Sequence, residues 1–214
     1  MGGLFITFEG PDGAGKTTQL RILAERFAQE GYDVLCTREP GGTRISDKIR
    51  EMLLDSANRE MHARAEALLY AAARAQHVAE VIDPALQSGK VVLCDRFVDS
   101  SLAYQGWGRG LPLEMLYVIN NFATDKLRPD LTLLLDISPQ EGTARVDKRC
   151  GGRRDRIEDE QDGFRQRVRQ GFRELAGLHA SRMVPIDAGR PVEAVHAEIW
   201  AHVEQIIVKK EGSA

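Results

Sequence analysis

The chain has 214 residues, of which 43% are apolar and 29% are charged. This composition excludes a disordered chain and a membrane protein, and the length suits one domain with its own core. The formal net charge of −3 excludes a protein whose main role is to coat nucleic acid, because such proteins carry a large basic excess. We therefore expect neither a nucleic-acid nor a membrane partner, and any anion-binding charge must be local.

The three cysteines, Cys36, Cys94 and Cys150, indicate a reducing compartment. Their number is odd, and no pair has the Cys-x-x-Cys spacing of a zinc or redox site. Cys36 and Cys94 fall inside apolar runs, so we expect both to be buried core residues. The sequence pattern contains neither a signal peptide nor a membrane span, which predicts a cytoplasmic protein.

Short apolar runs alternate along the chain with segments whose apolar residues recur at helical spacing. The runs predict strands at residues 4–8, 33–36, 91–94, 131–137 and 183–186. The helical spacing predicts helices at about residues 16–29, 43–54, 60–87, 112–127, 139–148, 160–180 and 191–208. This alternation indicates an α/β domain with a parallel sheet covered on both faces. We place a single domain at residues 1–208 and a frayed polar tail at residues 209–214.

The first predicted strand leads into a phosphate-binding loop. Residues 10–17 match the pattern Gly-x-x-x-x-Gly-Lys-Ser/Thr, between a strand and a helix. Glycines let backbone N–H groups surround a β-phosphate, Lys16 can bridge the β- and γ-phosphates, and the Thr17 hydroxyl can ligate Mg²⁺. We therefore predict that ATP binds to Gly10, Pro11, Asp12, Gly13, Ala14, Gly15, Lys16, Thr17 and Thr18.

Polar residues also follow the second and third predicted strands. Arg38 and Glu39 precede a Pro-Gly-Gly string, which alone is typical of a turn. Asp95 and Arg96 end the third strand; Asp95 either lies near Mg²⁺, partly through water, or only caps the following turn. The Arg96 guanidinium suits a phosphate. Because the carboxyl ends of parallel strands share one edge of the sheet, these residues and the phosphate-binding loop should converge on one cleft.

The predicted helix at residues 60–87 carries apolar residues on more than one face. They include Ala65, Leu68, Leu69, Ala72 and Val78. One face can pack on the sheet and another on a partner subunit, or the whole helix can be buried within the domain.

Residues 148–156 form a basic segment with a local charge of about +4. The basic residues are Lys148, Arg149, Arg153, Arg154 and Arg156, with Gly151-Gly152 among them. Such a segment is either a solvated surface loop or a mobile lid that binds phosphate.

These motifs together resemble bacterial thymidylate kinase, which makes dTDP from dTMP and ATP. The resemblance depends on residues 8–18, 37–43, 95–97 and 100–106, and residues 128–132 and 156–158 also fit. It implies a P-loop NTPase-type fold with three layers, in which helices flank a five-stranded parallel sheet of order 2-3-1-4-5. It also implies a small basic lid at about residues 148–160 and a homodimer.

The resemblance assigns roles to individual residues. Arg74 and Gln105 would bind the thymine edge while Tyr70 stacks on the ring; these types fit, because thymine offers carbonyl acceptors and one N–H. Ser101 and Tyr104 would line the base pocket and the sugar. The remaining implied contacts are Arg50 and Arg96 with the acceptor phosphate, Asp12 near the sugar 3′-OH, and Glu39 near Mg²⁺ or Arg96.

One departure separates this chain from part of the family. Some members carry an arginine in the P-loop where this chain has Gly13, and the basic residues here lie in the lid instead. The resemblance therefore implies that lid arginines reach the transferring phosphate. The catalytic candidates are Lys16, Asp12, Arg96, Arg149, Arg153, Arg154 and Arg156; the Gly151-Gly152 insertion leaves open which lid arginine makes the contact.

The chemistry of this reaction requires no general base. A phosphate monoester has its second pKa near 6, so dTMP is mostly a dianion at pH 7 and is already nucleophilic. Direct in-line transfer then needs positioning and charge stabilisation by Lys16, Mg²⁺ and arginines. Two alternatives stay open: a kinase for another nucleoside monophosphate or small metabolite, and an ATP-dependent switch, which would hydrolyse ATP without a phosphorylated product.

Overall fold

The computed structural model describes residues 3–150 and 154–212, and within them a five-stranded parallel sheet forms the middle layer. The order β2-β3-β1-β4-β5 confirms the predicted order. Leu4 of β1 lies beside Val91 of β3, and Ile6 lies beside Leu131 of β4. The strands are β1 Leu4–Glu9, β2 Val34–Arg38, β3 Val91–Asp95, β4 Leu131–Asp136 and β5 Met183–Asp187.

Helices connect the strands and cover both faces of the sheet. Between β1 and β3 lie α1 Lys16–Gln29, α2 Arg44–Leu54, α3 Ala63–His77 and α4 Asp83–Gln87. After β3 come α5 Val98–Ser101, α6 Leu113–Ala123, α7 Pro139–Cys150, α8 Asp162–Leu178 and α9 Val192–Glu211. Wider, π-helical turns at Val78–Ile82 and Leu102–Gly108 continue α3 and α5.

The alternation of side chains along β1 builds a core on each face. Phe5 packs into one cluster with Phe97 and residues of α8. Ile6 and Phe8 point the other way, into a cluster with Phe27 of α1 and residues of α9. Both faces of the sheet are therefore buried, as expected for a doubly covered parallel sheet.

Two helical segments differ most from the prediction. The segment predicted at residues 60–87 is divided by the π-helical turns before Pro84, because proline lacks an N–H and its ring crowds the preceding turn. The helical segment at residues 98–108 was not predicted, since its glycines mask the apolar spacing. Close packing explains Gly108, where an added Cβ would lie 2.6 Å from the Phe164 ring.

The structure corrects two further expectations, one about Cys36 and one about the C-terminal tail. Cys36 is exposed rather than buried because β2 is an edge strand, whereas Cys94 in β3 is buried. The tail predicted from residue 209 is still helical at its start, since α9 continues to Glu211 and Lys210 Nζ lies 2.7 Å from Asp130 Oδ2. None of the described helices is long and apolar enough to cross a membrane.

Candidate active site

A cleft of about 740 Å³ lies at the carboxyl edge of the sheet, where the strand ends converge. It joins the predicted phosphate-binding loop to residues contributed by α2, α3 and the helical segment after β3. Its lining includes Asp12, Gly13, Ala14, Gly15, Lys16, Thr17, Thr18, Glu39, Arg50, Tyr70, Arg74, Asp95, Arg96, Ser101, Tyr104 and Gln105.

The phosphate-binding loop has a backbone that requires glycine. Gly10, Gly13 and Gly15 have φ values of 131°, 78° and 88°. A Cβ on Gly13 would lie 2.3 Å from the carbonyl oxygen of Gly142. Only glycine combines this conformation with so close an approach, and the loop then opens directly into the N-terminus of α1 at Lys16.

Lys16 is the first residue of α1, and its side chain lies over the phosphate-binding loop. Its Nζ donates to the carbonyl oxygens of Gly10 at 3.1 Å and Pro11 at 2.8 Å. Burial, together with the positive charge of Arg96, lowers the pKa of Lys16 to about 8. The ammonium is thus mostly charged at neutral pH, and a buried cation here suits a phosphate chain lying on the loop.

Thr17 and Asp95 provide the oxygen atoms of a possible Mg²⁺ site. The Thr17 hydroxyl donates to Asp95 Oδ2 at 2.7 Å, so the side chains meet across the loop. Among residues 3–150 and 154–212, no group of three His, Cys, Asp or Glu side chains could hold a metal ion. A hydroxyl and one carboxylate nevertheless fit Mg²⁺, which takes most of its ligands from phosphates and water.

Arg96 connects the phosphate-binding loop with the helical segment after β3. Its backbone is in the left-handed region, with φ of 74°. The guanidinium donates to Asp12 Oδ1 at 2.7 Å, and to the Gly10 carbonyl and the Ser100 hydroxyl, both at 3.0 Å. It also lies 3.2 Å from the Tyr104 hydroxyl, so Arg96 is fixed on several sides.

Asp12 stays ionised beside Arg96. Burial alone would raise the pKa of Asp12, but the charges of Arg96 and Lys16 outweigh it and lower the pKa to about 2. The Tyr104 hydroxyl donates to Asp12 Oδ2 at 3.0 Å. Asp12, Arg96 and Tyr104 therefore form one hydrogen-bonded cluster.

Glu9 fixes the loop that carries Arg96 and was not singled out in the sequence. It is fully buried and accepts hydrogen bonds from the Phe97 N–H at 2.8 Å and the Ser100 hydroxyl at 2.5 Å. Burial and the nearby Asp99 carboxylate raise the pKa of Glu9 to about 7. The signal was present, because a carboxylate that ends a fully buried strand needs local partners.

Arg74 is buried at the end of the cleft away from the phosphate-binding loop. Its Nε donates to Glu39 Oε2 at 2.7 Å, Nη1 to Ser101 Oγ at 3.0 Å and to Asn120, and Nη2 to the Phe97 carbonyl at 3.0 Å. Four of its five N–H groups therefore have protein acceptors. Glu39 lies against Arg74 and a buried histidine, His77, at 3.1 Å, rather than against Arg96.

Gln105, Tyr70 and Arg50 complete the predicted acceptor side. Gln105 is buried and donates from Nε2 to Glu66 Oε1 at 2.9 Å. Tyr70 is half-buried, and burial together with the Glu66 charge raises the pKa of its hydroxyl. Arg50 Nη1 donates to the Pro40 carbonyl at 2.9 Å, which turns the arginine towards the cleft that it lines.

The predicted lid arginines do not share one environment. Arg154 pairs with Asp147 of α7 at 2.6 Å. Arg156 is buried, with Nη1 2.7 Å from Glu66 Oε2, and it does not line the cleft as Asp155 does. The side chain of Arg149, and all of Arg153, lie outside the described residues.

The end of the cleft opposite Arg74, which we call the far end, is lined by residues that were not predicted from the sequence. It is lined by Arg145 of α7 and by Ala188, Arg190 and Val192 after β5. Arg145 donates from Nη1 and Nη2 to the Ala188 carbonyl, each at 3.2 Å. The position of Ala188, Arg190 and Val192 after β5 was the available signal, because ligands bind at the carboxyl ends of such strands.

A P-loop that shares one cleft with several arginines, in this sheet topology, is typical of the class of P-loop kinases that act on a small phosphorylated acceptor. Comparison with known proteins makes the assignment specific. The thymidylate kinase family model matches residues 8–199, and the chain belongs to the thymidylate kinase family.

Relatives support this assignment over nearly the whole chain. A thymidylate kinase of Bacillus pumilus is 46% identical over 211 residues, covering 99% of this chain and all of the relative. One of Lactobacillus helveticus is 51% identical over 206 residues, covering 96% of this chain and 97% of the relative. The crystal structure of thymidylate kinase from Ehrlichia chaffeensis has a TM-score of 0.78 at 33% identity, covering 95% of this chain and 99% of that chain.

Proposed function

We propose that this chain transfers the γ-phosphoryl group of ATP to dTMP, giving dTDP and ADP, by direct in-line transfer. The observation that carries the proposal is the single cleft, which runs from the P-loop past Arg96 to the buried pair Arg74 and Gln105. Two phosphorylated ligands placed end to end would meet at Arg96. Family membership supplies the identity of the substrates.

The donor side consists of the P-loop and the far end of the cleft. The ATP phosphates lie along residues 10–18, with Lys16 on the β- and γ-phosphates. Arg145 and Arg190 flank the space left for the adenine. Thr17 and Asp95 would hold Mg²⁺, Asp95 partly through water, and the bound ion would neutralise charge on the phosphates.

The acceptor side binds dTMP by its phosphate, sugar and base. Arg50 and Arg96 bind the phosphate, while Asp12 and Tyr104 contact the sugar, with Tyr104 crowding a ribose 2′-OH. The base stacks on Tyr70, and its edge meets Arg74, Gln105 and the pocket around Ser101. Glu39 contributes by holding Arg74 through the 2.7 Å ion pair.

Charge stabilisation replaces a general base in this mechanism. The dTMP phosphate is mostly dianionic at pH 7 and attacks without deprotonation. Lys16, Arg96 and the lid arginines Arg149, Arg153 and Arg154 stabilise the charge that spreads over the transferring group. Lid closure excludes water and so limits ATP hydrolysis. Arg156 contributes by anchoring the lid through its buried contact with Glu66.

Gln105→Leu is expected to raise the KM for dTMP by on the order of 10²-fold while the affinity for ATP changes less than about threefold. Leucine keeps the volume but removes the amide that faces the base. Steady-state kinetics with each substrate varied in turn measures both effects. An equal loss for the two substrates would place Gln105 outside the base pocket.

A comparison of dTMP, dUMP, dGMP and CMP as acceptors tests the alternative that the protein is a kinase for a different nucleoside monophosphate.

We propose that the chain forms a homodimer through α3 and α6, which pack against each other. These helices expose Leu68, Met115, Val118 and Phe122, the last with 90% of its surface exposed. The exposure of Leu68, 55%, is inconsistent with a helix wholly buried within the domain. Unpartnered apolar groups of this number on adjacent helices are typical of an interaction surface.

We also propose a cytoplasmic location for the protein. The free thiols of Cys36 and Cys94 agree with it.

Phe122→Asp is expected to convert the dimer into a monomer, because a buried unpaired carboxylate at the interface is costly. Analytical ultracentrifugation at micromolar protein measures the change. Leu178→Asp is the matched control, since Leu178 is 67% exposed on α8, and it should leave the dimer intact. A wild-type monomer, or equal effects of the two substitutions, would contradict this interface.

A further inference from the structure

Glu66 is a buried carboxylate behind the base pocket, and the mechanism above gives it no role in binding the base. It lies in the first turn of α3 and is fully buried. Arg109 donates to it from Nε at 3.1 Å and Nη2 at 3.0 Å, and Arg156 lies 2.7 Å away. Two guanidinium groups on one carboxylate keep Glu66 ionised inside the protein.

An ionised carboxylate constrains Gln105, because it can only accept hydrogen bonds. Gln105 Nε2 lies 2.9 Å from Glu66 Oε1, so the amide nitrogen must face Glu66 and the amide oxygen must face away from it. A glutamine without such a partner can present either end to a ligand. Glu66 therefore allows only one of the two orientations of the Gln105 side-chain amide.

Arg74 adds a fixed donor next to this fixed acceptor. Arginine only donates, and one Nη2 N–H of Arg74 is left after its bonds to Glu39, Ser101, Asn120 and Phe97. Ser101, which accepts a hydrogen bond from Arg74, lies about one turn before Gln105 in the same helical segment. The Arg74 guanidinium and the Gln105 amide therefore lie on the same side of the cleft.

This pair of groups distinguishes pyrimidine bases by their hydrogen-bonding edge. Thymine and uracil present an N3–H donor beside a carbonyl acceptor, which match an amide oxygen and a guanidinium N–H. Cytosine presents an N3 acceptor beside an amino donor, so both contacts would be mismatched. Buried groups that are left unpaired in this way reject a ligand strongly.

We propose that Glu66 is a positioning residue for base selection: it fixes the Gln105 amide so that the site accepts bases with an N3–H and rejects cytosine. This inference rests on the proposed dTMP kinase function. It assigns selectivity to a side chain that does not line the cleft and that acts on the base through its contact with Gln105.

The test is the ratio of kcat/KM for dTMP to kcat/KM for dCMP in Glu66→Gln. A neutral amide at residue 66 accepts or donates, so the Gln105 amide can turn over and the ratio should fall at least about tenfold. The ratio of dTMP to dUMP should stay within about twofold, because these bases share the same edge. A general loosening of the pocket would change both ratios.

Glu160→Gln is the matched control, since Glu160 pairs with Arg109 and, among the described hydrogen bonds and ion pairs, makes none with Gln105. It should keep the wild-type dTMP to dCMP ratio. If Glu66→Gln does not fold, Glu66→Asp decides: it keeps the charge for both arginines but withdraws the carboxylate by roughly 1.5 Å, and the ratio should again fall. A folded Glu66 variant with wild-type selectivity overturns the proposal, whereas a wild-type enzyme without dTMP activity overturns the proposed function instead.

Discussion

Lys16→Ala is expected to lower kcat by at least about 10³-fold while the fold is retained. Lys16 is 7% exposed, and the contacts of its ammonium with the Gly10 and Pro11 carbonyls hold it where we propose that the β- and γ-phosphates bind. Alanine removes this charge from the transferring group and leaves the glycine backbone of the loop unchanged. Loss of transition-state charge stabilisation should therefore dominate any change in stability.

Rapid-quench measurement of a single turnover checks this prediction, with the melting temperature as the test of folding. Lys90→Ala is the control, because Lys90 precedes β3 at the opposite edge of the sheet and pairs only with Asp33 among the described contacts. It should retain full activity. Substantial transfer by folded Lys16→Ala would show that the loop does not bind the ATP phosphates as proposed.

Arg96→Gly is expected to lower kcat/KM for dTMP by on the order of 10³-fold with little loss of stability. Arg96 has φ of 74°, a conformation that glycine adopts without strain, so this substitution removes the guanidinium and relieves the backbone together. The lost group is the one that contacts Asp12, Gly10 and Ser100 where the two substrates would meet.

Arg96→Lys separates the two properties of the guanidinium. It retains the positive charge but lacks the planar fork, so its activity should fall between those of the wild type and Arg96→Gly. Calorimetric titration with a non-hydrolysable ATP analogue should give nearly wild-type affinity for both variants, in contrast to Lys16→Ala. Activity of Arg96→Gly within about tenfold of the wild type would remove Arg96 from the proposed phosphate contacts.

The sequence was sufficient for the parts of the fold and site that depend on local patterns. Short apolar runs and helical spacing predicted the five strands, and the Gly-x-x-x-x-Gly-Lys-Thr spacing placed Lys16 at the start of α1. Strand ends predicted that Asp95 and Arg96 would meet the P-loop, because this follows from parallel strand geometry alone. In each case a few neighbouring residues determine the result.

The remainder depends on contacts between distant residues. Arg156 lies 2.7 Å from Glu66, 90 residues earlier, and no local pattern distinguishes a buried ion pair from a lid arginine. The exposure of Cys36 depends on β2 lying at the edge of the sheet, which an apolar run does not reveal. The orientation of Gln105 likewise depends on Glu66, which was not selected because a glutamate in a helix is usually solvated.

The most direct test of the central claim is a simultaneous measurement of ADP and dTDP, by chromatography, from ATP with and without dTMP. We predict that ADP formation depends on dTMP and that dTDP appears in equal amount. ADP formation at the same rate without dTMP, or dTMP-dependent ADP formation without dTDP, would contradict phosphoryl transfer and favour a nucleotide-dependent switch.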